Sequence, residues 1–284
     1  MRGEPVPTSD FLFTLMTDDA RLAALADGAG IDRIGIDLDR LGKAERQPTG
    51  YRISGHTPAD LDRLRKVVRR ARLFARTDPL HPGSRRQVEE VLARGVTSIM
   101  LPMFRRVDEV ERFVDIVDGR AEVVLLVETA AAAFRIADIV RIDGIDEIMV
   151  GLNDLHLDVG LNDRFEIVVS EVMESLAWTV RSHGIRFGFG GLGRADDDSL
   201  PVPSSLVYPQ YARLGATSAI VARSFHRGGH GDLGPAMGTA RRTLDDLASA
   251  PRDVLERARE RLRRHLELGR ADVDAPREFA RRAA

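Results

Sequence analysis

Apolar residues along this chain fall into short runs, and amphipathic stretches separate them. Residues 11–16 (FLFTLM) read as a first strand, stopped by Thr17-Asp18-Asp19, a turn and helix-cap signal. A helix over 20–29 follows, closed by Gly28 and Gly30. Residues 33–39 (RIGIDLD) form a second strand, with Asp37 and Asp39 on one face because strand side chains alternate. Thr57-Pro58 opens a helix to about residue 70, with proline at its first position. Strands three and four fall at 72–77 and 98–104, with helices over 84–94 and Val107–Val117. Apolar runs at 123–127 and 148–150 give strands five and six, with a helical segment between them. Val168, Val172, Leu176 and Val180, at four-residue spacing, mark a helix within 165–183. Strand seven is 186–189, a short helix covers 208–214 after Pro201, Pro203 and Pro209, and strand eight is 218–225.

Eight short strands alternate with helices, and several strands are nearly continuous in apolar residues, as in a parallel sheet buried on both faces. The pattern predicts an α/β protein, a TIM (β/α)8 barrel, rather than an open sheet. The expected division is a barrel over 1–231 and a C-terminal helical segment over 232–284, beyond the glycine-rich break that holds His226 and His230. In that segment Leu255, Leu262 and Leu266 lie near one face of a charged helix, which either closes the barrel or docks on a neighbouring subunit.

Composition narrows the class. At 284 residues and 43% hydrophobic, the chain can bury a large core. A formal net charge of −2 gives no reason to expect nucleic acid or an anionic membrane as partner. The absence of cysteine excludes disulfides, thiolate metal sites and a cysteine nucleophile. The polar start lacks a signal-peptide core, and charges interrupt every apolar run before it reaches membrane-spanning length, so the expectation is a cytoplasmic protein.

Two carboxylates stand where strands run out: Glu128 after strand five and Asp154 after strand six. In parallel barrels the C-terminal strand ends carry the site. Two hard oxygen donors converging there suit a divalent metal, whereas each acid alone would read as a cap or an ion pair. Arg76 ends strand three. A loop over 40–57, long for its place, holds Lys43, Glu45, Arg46, Tyr51, Arg52 and His56.

The segment V-E-T-A, followed by G-I-D-x-I-x-V-G-L-N-D-L, resembles the HpcH/HpaI aldolase and citrate lyase β-chain family, as do Leu101-Pro102-Met103 and Arg76. The resemblance implies a barrel that binds Mg²⁺ or Mn²⁺ through Glu128 and Asp154. It implies a lyase (an aldolase) that makes or breaks a carbon–carbon bond at an oxo acid such as pyruvate, through a metal-stabilised enolate. Arg76 would be the catalytic arginine, sharing the enolate charge. The turn at Asn153 and Asp154 would receive the substrate carboxylate, since peptide N–H groups at a helix start suit an anion. A homo-oligomer with exchanged C-terminal helices is also implied. Two positions depart from the family. Arg40 stands where a histidine is expected after the second strand, and Ala93 where its partner acid is expected. His56 is the candidate replacement base, the other reading being a solvated loop histidine. An acyl-thioester lyase of the citrate lyase kind and a catalytically silent barrel serving as a binding or assembly subunit are the alternative functions.

Gly188, Gly190 and Gly193 spell G-x-G-x-x-G, but no helix opens there, so the reading is close backbone approach at the barrel mouth, with Arg194 near an anionic substrate. Asp196-Asp197-Asp198 reads as a solvated loop.

Overall fold

The structure, a computed structural model, describes residues 11–43, 54–226 and 232–274. Eight parallel strands close into a barrel in sequence order: β1 (Leu12–Met16), β2 (Arg33–Asp37), β3 (Arg72–Arg76), β4 (Ser98–Leu101), β5 (Glu122–Val127), β6 (Glu147–Val150), β7 (Arg186–Leu192) and β8 (Ser218–Val221), with β8 pairing back to β1. Around it run α1 (Ala20–Gly28), α2 (Pro58–Arg65), α3 (Ser84–Leu92), α4 (Val107–Val117), α5 (Ala130–Phe134), α6 (Ile136–Ile139), α7 (Leu152–Asp158), α8 (Phe165–Val168), α9 (Glu171–Ser182), α10 (Ser204–Leu214), α11 (Leu233–Ala248) and α12 (Arg252–Asp274). The expected eight-stranded barrel with a C-terminal helix is what the chain forms. Among the described residues no helix is long and apolar enough to cross a membrane.

Local chemistry sets several of these boundaries. Asp19 caps α1, accepting the Arg21 and Leu22 N–H groups at 2.8 and 3.2 Å. Proline opens α2, and Asp60 accepts the Thr57 N–H at 2.7 Å. The helix expected over 165–183 is two helices. Ser170 caps α9, accepting the Met173 N–H at 3.2 Å, and this restart changes the helical phase. Met173, Leu176, Ala177 and Val180 are then buried, while Val172 lies 52% exposed. Pro209 does not punctuate a loop; it sits inside α10, which begins at Ser204. The C-terminal segment starts with α11, which follows β8 and packs against α1 as the eighth helix of the ring. Leu255, Leu262 and Leu266 of α12 are buried, and α12 packs chiefly on this chain's own α10.

The strands alternate between two cores. One face, with Ile34, Ile36, Ala75, Ile99, Val123, Leu125, Val127, Ile148 and Val150, packs under the helices. The other faces the barrel axis and has layers. At the floor Arg33 reaches across from β2 to Glu147 of β6 and Glu122 of β5, and Glu122 also takes Arg72 and the Ser98 hydroxyl. Phe74, Met100, Val124, Leu126 and Met149, with Met16 and Ile220, fill the middle. A strand reverses its facing at every residue. The residues in the same phase at the upper rim are therefore Asp37, Arg76, Glu128 and Gly151.

Candidate active site

That phase brings together the acids and the arginine that the sequence places at strand ends. Asp37 and Arg76 are register partners at the ends of β2 and β3. Arg76 donates from Nε to Asp37 Oδ1 at 2.8 Å and from Nη2 to Asp37 Oδ2 at 2.7 Å, a bidentate pair. Lys43 donates to Asp37 Oδ2 at 3.0 Å and lies 3.3 Å from Asp39 Oδ2. Burial opposes ionisation of Asp37, but Arg76 and Lys43 outweigh it and hold its carboxyl well below the usual carboxylate range. Burial likewise works against the Arg76 charge, and Asp37, Glu128 and Asp39 more than restore it.

Glu128 is the opposite case. It follows β5 and is 2% exposed, and its Oε1 accepts the Met103 N–H at 3.1 Å. Burial pushes its carboxyl up from 4.5 to about 8; Arg76 pulls the other way, and the carboxylates of Asp154 and Asp39 add to the rise. Gly151 shows why the space exists. A Cβ there would meet Glu128 Cβ and Oε2 at 2.7 Å, so a side chain after β6 would displace the glutamate. Asp154 is half-buried in the first turn of α7, close enough to Glu128 for the two charges to interact.

The donor set fits a divalent cation. Asp37, Asp39, Glu128 and Asp154 face Arg76 and Lys43, an excess of two negative charges when all are ionised. The buried carboxyl that resists ionisation is the one a cation would favour as carboxylate. Among the described residues no group of three or more His, Asp and Glu side chains is arranged to hold a metal. An ion here would take two protein carboxylates, with water or substrate oxygens completing its shell.

His56 reaches the rim, but its ring is committed. Nδ1 accepts the Asp37 N–H at 3.0 Å, and Nε2 faces Asp18 Oδ1 at 3.5 Å. Burial pushes its pKa down against the pull of Asp18 and Asp37. The neutral ring thus carries its proton on Nε2, and the one lone pair a base needs is already in use. Arg40 turns outward, donating from Nη2 to the His56 carbonyl at 2.6 Å, while its N–H and that of Leu41 bond Asp78. Asn153 is exposed at the start of α7, with its side-chain oxygen 3.3 Å from Arg164 Nη1. The first-turn position leaves the peptide N–H of such a residue without an intrahelical acceptor.

Arg194 does not wait for an anion. It clasps Asp232 with two bonds of 2.5 and 2.8 Å and donates to the Phe225 carbonyl at 2.7 Å, tying the turn after β7 to the start of α11. Of the glycines before it, Gly188 is pressed against β8, whereas a Cβ on Gly190 would meet nothing within 4 Å and one on Gly193 would meet side chains only. A Cβ on Gly188 would meet Ser218 Oγ at 2.0 Å, and Gly191 takes a φ of +94° where the β7 register shifts. Asp198 accepts the Ser205 N–H at 2.9 Å, so that acid caps a helix start. Glu45, Arg46, Tyr51, Arg52 and His230 lie outside the described residues.

The pairing of Arg76 with Asp37, and the part Lys43 plays in it, are not among the contacts expected from the sequence. A signal was present: acid and base end consecutive strands, and parallel neighbours align such ends.

The family model described as HpcH/HpaI aldolase/citrate lyase matches residues 12–189. Comparison with curated proteins returns no match. Among solved structures, an HpcH/HpaI aldolase/citrate lyase family protein from Burkholderia cenocepacia superposes with a TM-score of 0.61 at 15% identity, covering 84% of this chain and 96% of that one. The citrate lyase beta subunit from M. tuberculosis, complexed with oxaloacetate and magnesium, gives 0.58 at 18% identity, with 84% and 99% covered. The protein CitE from Mycobacterium tuberculosis, in complex with magnesium and pyruvate, gives 0.58 at 18% identity, with 84% and 92% covered. At such identities these likenesses speak to the fold.

Proposed function

Because the chain belongs to the HpcH/HpaI aldolase/citrate lyase family, we propose that it is a metal-dependent carbon–carbon lyase acting on an oxo acid such as pyruvate. The observation that carries this reading is the buried Glu128, its carboxyl pushed up to about 8, set beside Asp154 and opposite a clamped arginine. Glu128 and Asp154 would hold Mg²⁺ or Mn²⁺, and the ion would polarise the carbonyl of the oxo acid.

The rest is done by the chain's own groups. Arg76 is fixed by Asp37 on its Nε and Nη2 edge, which leaves Nη1 for a substrate oxygen. Breaking a bond beta to a carbonyl puts negative charge on that oxygen, and a preorganised guanidinium stabilises it without reorganising. The turn of Asn153 and Asp154 would seat the substrate carboxylate. Since the His56 lone pair is taken, water is the group left to carry the proton. Relatives described with oxaloacetate or pyruvate and magnesium support the same substrate class. Association into a homo-oligomer belongs to the same family reading.

A crystal soaked with Mg²⁺ and pyruvate tests it. The expected result is metal density between Glu128 and Asp154, with pyruvate oxygens in its shell and one carboxylate or carbonyl oxygen beside Arg76. Density for neither at saturating concentrations would reject the site.

A further inference from the structure

Lys43 is a residue to which the family reading gives no task, and it is 8% exposed. Burying a long flexible cation costs side-chain entropy and hydration, so its partners must return both. Its ammonium bridges Asp37 Oδ2 at 3.0 Å and Asp39 Oδ2 at 3.3 Å, two acids on one face of the chain. Asp37 is held from other sides too. Its Oδ1 accepts the Asp39 N–H at 3.2 Å, and its own N–H is bonded to His56.

The geometry points to Lys43 as a positioning residue for Arg76, acting through Asp37 and resting on the lyase reading only for its catalytic consequence. Three acids attract the Arg76 guanidinium: Asp37, Glu128 and Asp39. A planar fork can satisfy one carboxylate bidentately, and a second acid of equal pull would rotate it off that geometry. Lys43 neutralises Asp39 and pins Asp37 Oδ2, the oxygen that also accepts from Arg76 Nη2. The fork then has a single fixed partner, and its opposite edge keeps one direction. Remove the ammonium, and Asp37 and Asp39 repel each other while Asp39 competes for the arginine.

Substitution of Lys43 by methionine and by arginine tests this, with nitrogen–proton NMR of the Arg76 Nε–H in the metal-free protein as first readout. The signal is identified by its loss in Arg76→Lys. It is expected to be protected from solvent exchange in wild type, to shift and lose protection in Lys43→Met, and to return in Lys43→Arg. The second readout is exchange of the pyruvate methyl protons in heavy water with Mg²⁺. Its turnover should fall on the order of a hundredfold in Lys43→Met, the scale of a misplaced catalytic group. KM should stay nearly unchanged, and Lys43→Arg should restore the rate. A residue that merely anchored its loop would lower stability and leave both the Arg76 signal and the turnover ratio in place. An unchanged Nε–H signal in folded Lys43→Met, or in Lys43→Gln should the methionine variant not fold, overturns the proposal. If wild type exchanges no oxo acid, the lyase reading fails, while the Arg76 signal still decides the role of Lys43.

Discussion

At the scale of single residues, position on a strand decides chemistry. Asp37 and Glu128 are both buried carboxyls at strand ends, yet one is held far below its ordinary value and the other is pushed up to about 8. The difference is partnership: Asp37 has two cations in contact, and Glu128 has burial and neighbouring acids. The pH consequences fall in separate windows. For Glu128 the folded state keeps a proton that the unfolded chain gives up near 4.5, so stability of the metal-free protein should fall as pH rises from about 4.5 to about 8. Asp37 works in the other direction, its stabilisation being present above its ordinary 3.8 and lost as pH falls below that. Divalent-ion affinity should rise with pH across the Glu128 window, with about one proton released per ion, since the ligand must be ionised. Calorimetry in two buffers of different ionisation enthalpy reads the proton count. Glu128→Ala and Asp154→Ala should each weaken binding by at least the roughly tenfold to hundredfold that loss of an outer-shell partner costs. Wild-type affinity in either would remove that acid from the site. Both acids were legible in sequence because strand ends are legible. Their environments were not, because the burial of Glu128 and the charges around it depend on how the strands close into a barrel.

Elements show where a periodic pattern misleads. Val168, Val172, Leu176 and Val180 keep a four-residue spacing, but Ser170 interrupts the helix and starts α9 in a new phase. The apolar position that enters the core is Met173, fully buried, and not Val172. Met173→Ala should therefore cost about 2–5 kcal/mol, the usual range for a buried truncation. Val172→Asp should stay within about 0.5 kcal/mol of wild type, helped by an acid in the first helical turn. Denaturant titration of the two variants checks this. Equal losses would mean that the single-helix phase is correct. Pro209 misled in the same way. The residue usually marks a break, but here it stands in the sixth position of α10, where it forfeits only the bond to the carbonyl of exposed Ser205.

For the whole molecule, the strand tally carried the fold and the tail did not follow from it. Eight apolar runs gave the closed barrel because each must be covered on both faces. Leu233–Ala248 follows a glycine-rich stretch and holds Gly234, Pro235 and Gly238 in its first turns, signals that read as a break, and its place against α1 emerges only once the ring needs an eighth helix. In this structure α12 covers α10 of its own chain, with Leu262 fully buried. Ending the chain after Ala250 should then cost stability on the order of a few kcal/mol, from the leucine face it uncovers, with the association state unchanged. Sedimentation together with thermal unfolding separates the cases, and a changed association state would show the helix to be exchanged between subunits.

On the proposed function, Glu128, Asp154 and Arg76 jointly stabilise charge on an oxo-acid oxygen. Exchange of the pyruvate methyl protons with heavy water, followed by NMR, requires only that half of the reaction and no knowledge of the second substrate. Exchange is expected in wild type when Mg²⁺ or Mn²⁺ is present, little without it, and at a rate lower by on the order of a hundredfold in Arg76→Ala with metal binding retained. Exchange at the wild-type rate in Arg76→Ala, or none in wild type with pyruvate and other oxo acids, would contradict it.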